Sequence, residues 1–332
     1  MELRKDPITQ SWVIQEDANG GWPETGRCPL CPGQEMLSPR TVYEHPYGHP
    51  HWQVRVIPHL RPLYRIEGDA QRRGEGIYDK MRSLGAHEIV VEHPNHNLML
   101  SQQSDEHIAQ VLRAYVSRIS DLKKDRRFRY VTVFRNQGAL AGQESDHPHS
   151  QITATPFVPR RLVYELRSAQ RYYALKERCL YCDIVKQELM QQLRTVEWDD
   201  HFLAFCPFAS RVPYETWVLP AQHHCSFEED LTSWDKQFQC GRFLKSILRR
   251  LEGIAPAYHM VLHTSPNVHA KFDKSGHWQT LADDFHWHIE LLPVLRATSK
   301  SYSVKEVYYN SLLPEVAAKE LRKVGAEMAS KG

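Results

Sequence analysis

The sequence contains no run of 18 or more apolar residues, so no segment has the length and hydropathy of a membrane-spanning helix. It also has no marked excess of either charge, because 42 lysines and arginines stand against 40 aspartates and glutamates. A basic run from Lys123 to Arg127 is typical of a solvated helix end. We therefore expect neither a membrane nor a nucleic acid among the partners of this protein.

Cysteine is scarce and odd in number, with seven residues in 332, and no apolar leader stands before the first of them. A scaffold held by disulfides is therefore disfavoured, and we expect a reducing compartment, the cytoplasm. With 41% hydrophobic and 25% charged residues, the composition is typical of a globular protein with one large or two medium domains. Histidine is abundant, at 19 residues, which raises the expectation of metal or phosphoryl chemistry.

Two Cys-x-x-Cys motifs stand far apart in the chain, Cys28-Pro-Leu-Cys31 and Cys179-Leu-Tyr-Cys182, and each has histidines at long range behind it. Thiolates and imidazoles in such sets are common ligands of tetrahedral zinc. One pair alone would also suit a redox dithiol or a disulfide. Two pairs in a histidine-rich chain favour metal.

The centre of the chain carries a row of polar side chains, His147, His149 and Gln151, on a segment that continues with β-branched and apolar residues. In a strand, side chains two apart point to the same face, with about 6.6 Å between neighbours. Ahead of the row, a predicted strand at 131–134 leads into a loop at 136–142 whose glycines allow the backbone to approach a ligand closely. Together these features suggest a phosphate site, although two histidines can also simply pack or bond to backbone within a sheet.

The chain repeats one order of elements: Cys-x-x-Cys motif, strand-end histidine, amphipathic helix, strand, loop and His-x-His strand. The first helix is predicted behind an N-cap at Ser104, and the second runs from about Thr232 to Leu251. We interpret this repetition as an internal duplication. The sequence thus predicts an α+β fold of two similar units, 1–165 and 166–332, each an antiparallel sheet with a packed helix.

The second copy of the polar row differs from the first in one residue type. It reads His286, His288 and Glu290. A carboxylate that faces a phosphate repels it, so the second copy is the less suitable catalyst. We therefore expect the chemistry in the first copy.

Several motifs resemble those of one known family. They are R-K-D-P-I-T and W-V-I between residues 4 and 14, C-P-L-C-P-G from 28, V-F-R-N-Q-G from 133, H-P-H-S-Q from 147 and F-V-P from 157. These motifs resemble the galactose-1-phosphate uridylyltransferase family, the transferase branch of the histidine-triad superfamily. The second Cys-x-x-Cys motif is similar to that of plant ADP-glucose phosphorylase. The resemblance implies that both units are histidine-triad-like and that the protein forms a homodimer.

The resemblance also implies metal ligands and substrate contacts. The first zinc site would comprise Cys28, Cys31, His96 and His147. The second would comprise Cys179, Cys182, His223 and His286, with Glu165 and His288 as further candidates because other members bind a different second metal there. Substrate binding is expected at Asn136, Gly138, Gly142 and Ser150.

By the same resemblance His149 is the nucleophile, and general chemistry supports this role. A neutral imidazole attacks the α-phosphorus of a nucleotide, forms a nucleotidyl-histidine and passes the nucleotidyl group to a second phosphate. Both the leaving and the entering group are phosphates that need no protonation, so Gln151 can donate a hydrogen bond to a nonbridging oxygen instead of acting as an acid. Hydrolases of the superfamily have a histidine at this position, and glutamine therefore favours a transferase.

The leading hypothesis is a nucleotidyltransferase with two zinc ions per chain, most simply one that moves a uridylyl group from UDP-glucose to galactose 1-phosphate. The nearest alternative is a phosphorylase that passes an adenylyl group from ADP-glucose or a dinucleoside polyphosphate to inorganic phosphate. A non-catalytic, zinc-containing nucleotide-binding protein is a third, which the intact His149 and Gln151 disfavour.

Three segments depart from the family pattern. Residues 15–23 replace a basic segment that helps to bind phosphates, and residues 57–63 leave the choice between uracil and adenine open. Residues 299–310 replace a glycine-rich run that contacts the sugar in relatives. Beyond them, the stretch 314–328 is expected to form an amphipathic helix that packs on the second sheet or across a dimer interface.

Overall fold

The computed structural model describes residues 1–15, 26–49, 51–270, 278–295 and 307–330. Of the three departures from the family pattern, residues 16–23 and 299–306 lie outside this described part. Within it, no helix combines the length and the apolar character needed to cross a membrane.

Fourteen strands of the described residues form two antiparallel sheets. The smaller sheet has the order β2-β1-β6-β5 and contains β1 (Glu2–Lys5), β2 (Trp12–Gln15), β5 (Arg73–Glu75) and β6 (Tyr78–Arg82). The larger sheet contains β3 (Tyr43–His45), β4 (Val54–Pro58), β7 (Ala86–Val91), β8 (Tyr130–Gln137), β9 (His149–Thr155), β10 (Thr195–Trp198), β11 (Phe202–Phe205), β12 (Thr216–Pro220), β13 (Tyr258–His263) and β14 (His288–Pro293). Its order is β10-β11-β12-β14-β13-β8-β9-β7-β4-β3.

The order of the large sheet displays the duplication directly. The first half of the chain supplies β3-β4-β7-β9-β8 and the second half supplies the mirrored order β13-β14-β12-β11-β10. The halves join where β8 pairs with β13, with Phe134 opposite Val261. The predicted α+β class with antiparallel sheets is confirmed, but the two copies share one continuous sheet.

Seven α-helices lie among the described residues: α1 (Asp105–Lys123), α2 (Arg160–Lys176), α3 (Leu180–Gln191), α4 (Phe227–Asp230), α5 (Trp234–Glu252), α6 (Leu281–Asp284) and α7 (Pro314–Ala329). The predicted helices correspond to α1, α5 and α7. The hydroxyl of Ser104 caps α1 by accepting the His107 N–H at 3.1 Å, and Ser233 caps α5 in the same way. The division expected between residues 165 and 166 falls inside α2.

One face of the large sheet, the helix face, is covered by α1 and α5. Their apolar stripes bury Ile108, Leu112 and Ile247 against strand residues such as Val133, and each such side chain stabilises the fold by about 1.5–3 kcal/mol. A Cβ at Gly241 of α5 would lie 3.2 Å from the backbone of α1. The two helices can therefore approach closely only because this position is glycine.

The opposite face, the site face, carries His149, Gln151, His288 and Glu290. Strand alternation places them there, since the adjacent residues Ile152 and Ile289 point to the other face and belong to the core under α1 and α5. In the second half this face is covered by α2 and α3, which were not among the predicted elements. In the first half, Leu30 of the first Cys-x-x-Cys motif packs on this face together with Trp52. Both belong to one cluster with the strand residues Ile57, Ile89 and Val91.

Helix α7 packs within its own chain, against α5 and the edge strand β10. Its buried residues are Ala317, Ala318 and Leu321. Val316, near the helix N-terminus, is 39% exposed. Of the two packings predicted for this helix, the structure therefore has the one on the second half of the chain.

Candidate active site and metal centres

The four residues predicted as the first zinc site lie together in the structure. The ligand atoms of Cys28, Cys31, His96 and His147 all lie within 4.8 Å of one another. The Cys31 Sγ is 3.4 Å from His96 Nδ1 and 3.5 Å from His147 Nδ1. Zinc–sulfur and zinc–nitrogen bonds at a tetrahedral angle require about 3.6 Å between such atoms, so the group fits a tetrahedral ion.

Hydrogen bonds to the backbone orient the ligands of this group toward a metal. The Nε2–H of His147 donates to the carbonyl oxygen of His93 at 2.8 Å, which leaves the lone pair on Nδ1, toward the thiols. Burial and then the neighbouring Cys28 raise the pKa of Cys31 to about 11. The Cys31 thiol is therefore protonated at neutral pH unless a cation displaces the proton, as metal binding does.

The second predicted group is built in the same way. The ligand atoms of Cys179, Cys182, His223 and His286 also lie within 4.8 Å of one another. Cys182 Sγ is 3.2 Å from His223 Nδ1 and 3.7 Å from His286 Nδ1. Both imidazoles point their Nε2 at backbone carbonyls, of Ala282 and Pro220 respectively. The duplication has thus produced two equivalent groups of two thiols and two imidazoles.

Glu165, His263, His288 and Glu290 form a third group of potential ligands among the described residues. It includes both of the further candidates, Glu165 and His288. Its chemistry differs from that of the other groups, because Glu290 is bonded to the guanidinium of Arg161 at 2.6 Å and to that of Arg211 at 2.7 Å. Two adjacent cations oppose the entry of a third, so the observed arrangement is a buried ion-pair network.

His149 begins β9, directly beyond the first Cys/His group. Its Nδ1 lies 2.8 Å from the carbonyl oxygen of His147. A carbonyl only accepts, so Nδ1 carries the proton and Nε2 carries the lone pair. Burial lowers the pKa of His149 to about 4, which keeps the imidazole neutral at physiological pH. His147 precedes the strand, so its side chain turns to the metal group. The side chain of His149, the first residue of the strand, lies on the site face.

Gln151 is held by two neighbours, His87 and Glu144, which His59 in turn contacts. Its Oε1 accepts from His87 Nε2 at 2.8 Å, and its Nε2 donates to Glu144 Oε2 at 3.3 Å. The His87 ring stacks on His59, with centroids 4.0 Å apart, and His59 Nε2 lies 2.9 Å from the same Glu144 oxygen. The amide thus has a defined position on the site face.

Sequence reasoning missed His59, His87 and Glu144. His87 stands opposite Thr153 and Ile89 stands opposite Gln151, so His87 reaches Gln151 diagonally across β7 and β9. A register between strands more than 50 residues apart leaves no local pattern. The available signal was chemical, since a histidine within a buried strand requires a polar partner.

The predicted substrate contacts are only partly on the site face. Asn136 belongs to β8 rather than to a loop, and its Oδ1 is 2.9 Å from His259 Nδ1 on the neighbouring strand. Since Phe134 stands opposite Gln151, Asn136 lies two residues further along, toward His149. Ser150 differs, because its side chain is buried on the helix face and bonded to the Tyr115 hydroxyl at 2.7 Å. The Ser150 hydroxyl therefore does not face the site.

The two glycines of the loop also behave differently from one another. Gly138 has φ +82°, and a Cβ there would come within 3.0 Å of the Ala257 Cβ. Its close approach is therefore to the loop before β13. Gly142 has φ +73° and nothing within 4 Å of its ideal Cβ position, so this turn leaves room beside it.

The second polar row is sealed. His288 is fully buried, its ring stacks on Trp217 at 5.0 Å, and the Tyr181 ring from α3 lies 5.2 Å away. Burial alone would raise the pKa of Glu290, but His263, Arg211 and Arg161 more than offset this and lower it to about 2. His288 and Glu290 are thus parts of a packed, charged interior.

Comparison with known proteins agrees with this geometry. Residues 6–159 match the family model of the galactose-1-phosphate uridyl transferase N-terminal domain. The chain is 29% identical to ADP-glucose phosphorylase of Arabidopsis thaliana over 97% of its own length and 93% of the relative's. It is 27% identical to galactose-1-phosphate uridylyltransferase of Thermotoga maritima, over 99% and 100% respectively.

Solved structures give the same result. A uridylyltransferase structure superposes with a TM-score of 0.81 at 26% identity, covering 99% of both chains. The crystal structure of an ADP-glucose phosphorylase from Arabidopsis thaliana with bound ADP-glucose has a TM-score of 0.78 at 27% identity, covering 97% of this chain and 98% of that one. By class, this protein is an enzyme of the transferase type. Within that class it resembles the galactose-1-phosphate uridylyltransferase family over nearly its whole length, which confirms the resemblance drawn from its motifs.

Proposed function

We propose that this protein transfers a nucleoside monophosphate from a nucleotide sugar to a phosphate acceptor through a covalent intermediate on His149. The observation that carries the proposal is the tautomer of this residue. With Nδ1–H donated to the His147 carbonyl at 2.8 Å, Nε2 bears the lone pair that a nucleophile needs.

The transfer takes two balanced steps. In the first, the Nε2 lone pair of His149 attacks the α-phosphorus, the N–P bond forms, and the P–O bond to the sugar phosphate breaks. The sugar phosphate leaves with the bonding pair and needs no proton. In the second, a phosphate oxygen of the acceptor attacks the same phosphorus, and the N–P pair returns to Nε2. Such a ping-pong scheme requires a neutral imidazole, which the lowered pKa of His149 favours.

Gln151 serves as a hydrogen-bond donor to a nonbridging oxygen on the reacting phosphorus. This stabilises the charge that develops in the transition state and is typically worth 10²-fold to 10³-fold in rate. We assign Asn136 and the turn around Gly142 to substrate phosphates, since both lie at the His149 end of β8 and the loop behind it. Any contribution of Gly138 or Ser150 would come from the backbone.

We also propose one zinc ion in each Cys/His group, two per chain. Two thiolates and two imidazoles are a preferred zinc donor set. The ion supplies folding energy and holds the segments before β9 and β14 in place. His147 would be one ligand of the first ion, which would fix the start of the nucleophile's strand rather than act on the substrate.

Two donor and acceptor pairs are supported. UDP-glucose with galactose 1-phosphate is the leading pair, because the N-terminal family model and the Thermotoga maritima relative carry that activity in their names. ADP-glucose with inorganic phosphate is the second, favoured by the group of Cys179, Cys182, His223 and His286 and by the Arabidopsis thaliana relative, named an ADP-glucose phosphorylase. The departures at residues 57–63 leave either base acceptable.

A donor screen tests this proposal. The protein is incubated with UDP-glucose or ADP-glucose alone, quenched at alkaline pH because an N–P bond is acid-labile, and weighed intact by mass spectrometry. We expect a uridylyl or adenylyl adduct on the peptide that contains His149, discharged by the matching acceptor. If neither donor leaves an adduct, the transferase proposal fails and a non-catalytic nucleotide-binding role takes its place.

We further propose that two chains form a dimer in a reducing compartment, the cytoplasm. All seven cysteines are unpaired, as expected where thiols stay reduced. Light scattering at micromolar concentration should give twice the chain mass, and a monomer mass would contradict the dimer.

A further inference from the structure

We propose that His87 is a positioning residue for the transfer step, because it fixes the Gln151 amide with its NH₂ group available to the reacting phosphate. This inference deepens the proposed function and rests on it. His87 hydrogen-bonds to the Leu63 N–H and to Gln151 and stacks on His59, and it acts on the transfer step through Gln151.

The protons along this contact follow from the backbone. The Leu63 N–H donates to His87 Nδ1 at 3.1 Å. A backbone N–H can only donate, so His87 Nδ1 carries the lone pair and Nε2 carries the proton. The Nε2–H therefore donates to a carbonyl-type oxygen, the Gln151 Oε1, at 2.8 Å. The orientation of the amide is thus set by a main-chain group of the loop before β5.

The opposite orientation of the amide is disfavoured on both sides. After a flip, the Gln151 NH₂ would face the His87 N–H, donor against donor. The Gln151 Oε1 would face the Glu144 carboxylate, acceptor against acceptor, at the 3.3 Å contact. Each exchange replaces a hydrogen bond by a repulsive contact, and an unmade bond is most costly where the group is buried. Gln151 and His87 are both at most 5% exposed.

One amide proton remains for the substrate. The Gln151 NH₂ has two donors, and one of them meets Glu144. The other can meet a nonbridging phosphate oxygen. A glutamine without His87 would expose its oxygen to the phosphate for part of the time and repel it, so the rate of transfer depends on the contact at His87.

The His87 ring itself is held in place. It stacks on His59 at 4.0 Å with an angle of 8° between the ring planes. Burial, and then His59, lower the pKa of His87 to about 4, so the ring stays neutral across physiological pH and keeps accepting the Leu63 N–H. A phenyl ring, which is flat and close in size to imidazole, should therefore preserve the packing while removing the donor.

Four variants of the zinc-loaded protein test the inference: His87→Phe, His87→Gln, Gln151→Ala and the double variant His87→Phe with Gln151→Ala. Phenylalanine keeps the stack on His59 and lacks the N–H. Glutamine returns an N–H close to the place of Nε2. For each variant, single-turnover labelling of His149 by the active donor gives the rate and the donor Kd, and zinc content and Tm report the fold.

We expect His87→Phe to slow labelling roughly tenfold to a hundredfold, the scale for removing a partner of a site residue, with donor Kd and zinc content nearly unchanged. His87→Gln should recover most of the rate. In the Gln151→Ala background, His87→Phe should cost nothing more, because the residue through which it acts is absent. An unchanged rate for His87→Phe, or the same loss in both backgrounds, would overturn the inference.

One further measurement needs no donor. The ¹⁵N shifts and couplings of histidine rings distinguish the two neutral tautomers, and His87→Gln identifies the His87 signals by their loss. We expect His87 to be protonated at Nε2, and protonation at Nδ1 would overturn the inference even if no variant can be labelled. If the expected tautomer is present but no donor labels the protein, the transferase proposal fails while the orientation of Gln151 by His87 stands.

Discussion

The two polar rows of this protein share an origin and a position but differ in surroundings. His149 and Gln151 lie on β9, one strand away from the junction of the halves, and His288 and Glu290 lie on β14 at the equivalent place on the other side. The first row is framed by the hydrogen-bonding side chains His87 and Glu144. The rings of Trp217 from β12 and Tyr181 from α3 pack against the second row.

One exchange, amide for carboxylate, accounts for much of this divergence. A neutral Gln151 can face a phosphate, whereas Glu290 repels anions and requires cations, which Arg161 and Arg211 supply. Those guanidiniums pair with both oxygens of the Glu290 carboxylate. The second copy therefore became an interior ion-pair network, and the first retained the features of a reactive site.

The largest effect that separates the two rows should come from their central histidines. We expect His149→Ala to lower labelling and turnover by roughly 10⁴-fold or more, the scale for removal of a catalytic nucleophile, while zinc content and fold persist. His288→Ala should leave labelling nearly intact and reduce stability by about 2–4 kcal/mol through the cavity beside Trp217. Intact-mass labelling and urea unfolding measure both. An adduct on His288 would reverse the assignment of the halves.

Next in size are the two Cys/His groups, which should behave alike. Cys28→Ser and Cys182→Ser should each lose one of two zinc ions and much of the stability, because a structural site contributes folding energy directly. Metal analysis of protein purified without chelator gives the count. Glu165→Gln is the matched control from the third group and should keep both ions. If Glu165→Gln loses an ion, the third group binds metal after all.

Gln151 gives the third comparison. Gln151→Ala should slow both labelling and discharge by about 10²-fold to 10³-fold, since it removes one donor to the charge of the transition state. Gln151→Glu copies the second row without its arginines and should be slower still, because a carboxylate repels the phosphate. Stopped-time labelling followed by acceptor addition resolves the two half-reactions. Equal rates for the Ala variant and the wild type would exclude Gln151 from the transfer.

The sequence contained enough to predict the metal groups and the nucleophile's row. The two Cys-x-x-Cys motifs lie where the metal groups form, and the family resemblance implied the distant histidines that join them. The caps and stripes of α1 and α5, in contrast, follow local periodicity. Such features depend on neighbours in the chain. They are therefore readable from spacing alone.

Contacts between distant strands were not readable in the same way. The continuous sheet depends on β8 meeting β13, and the orientation of Gln151 depends on the register of β7 against β9. Helix α2 did leave a local pattern, with Leu162, Leu166 and Ala169 at helical spacing. Its place over the second row depends on a non-local contact, the hydrogen bond that Glu165 accepts from His263 Nδ1 at 2.8 Å.

The smallest effect concerns the acid stability of the second row. The pKa of Glu290 falls from the usual 4.5 to about 2 on folding, so its contribution is fully present above pH 4.5 and is lost as pH falls through 2. A shift of this size corresponds to about 3 kcal/mol. Glu290→Gln should therefore be less stable than the wild type at pH 7, and the difference should shrink as the pH is lowered from 4.5 toward 2. Urea unfolding at a series of pH values measures both proteins. Loss of zinc in acid affects both proteins equally and cancels in the difference between their stabilities. Parallel stability profiles would mean that Arg161 and Arg211 do not stabilise the ionised carboxylate.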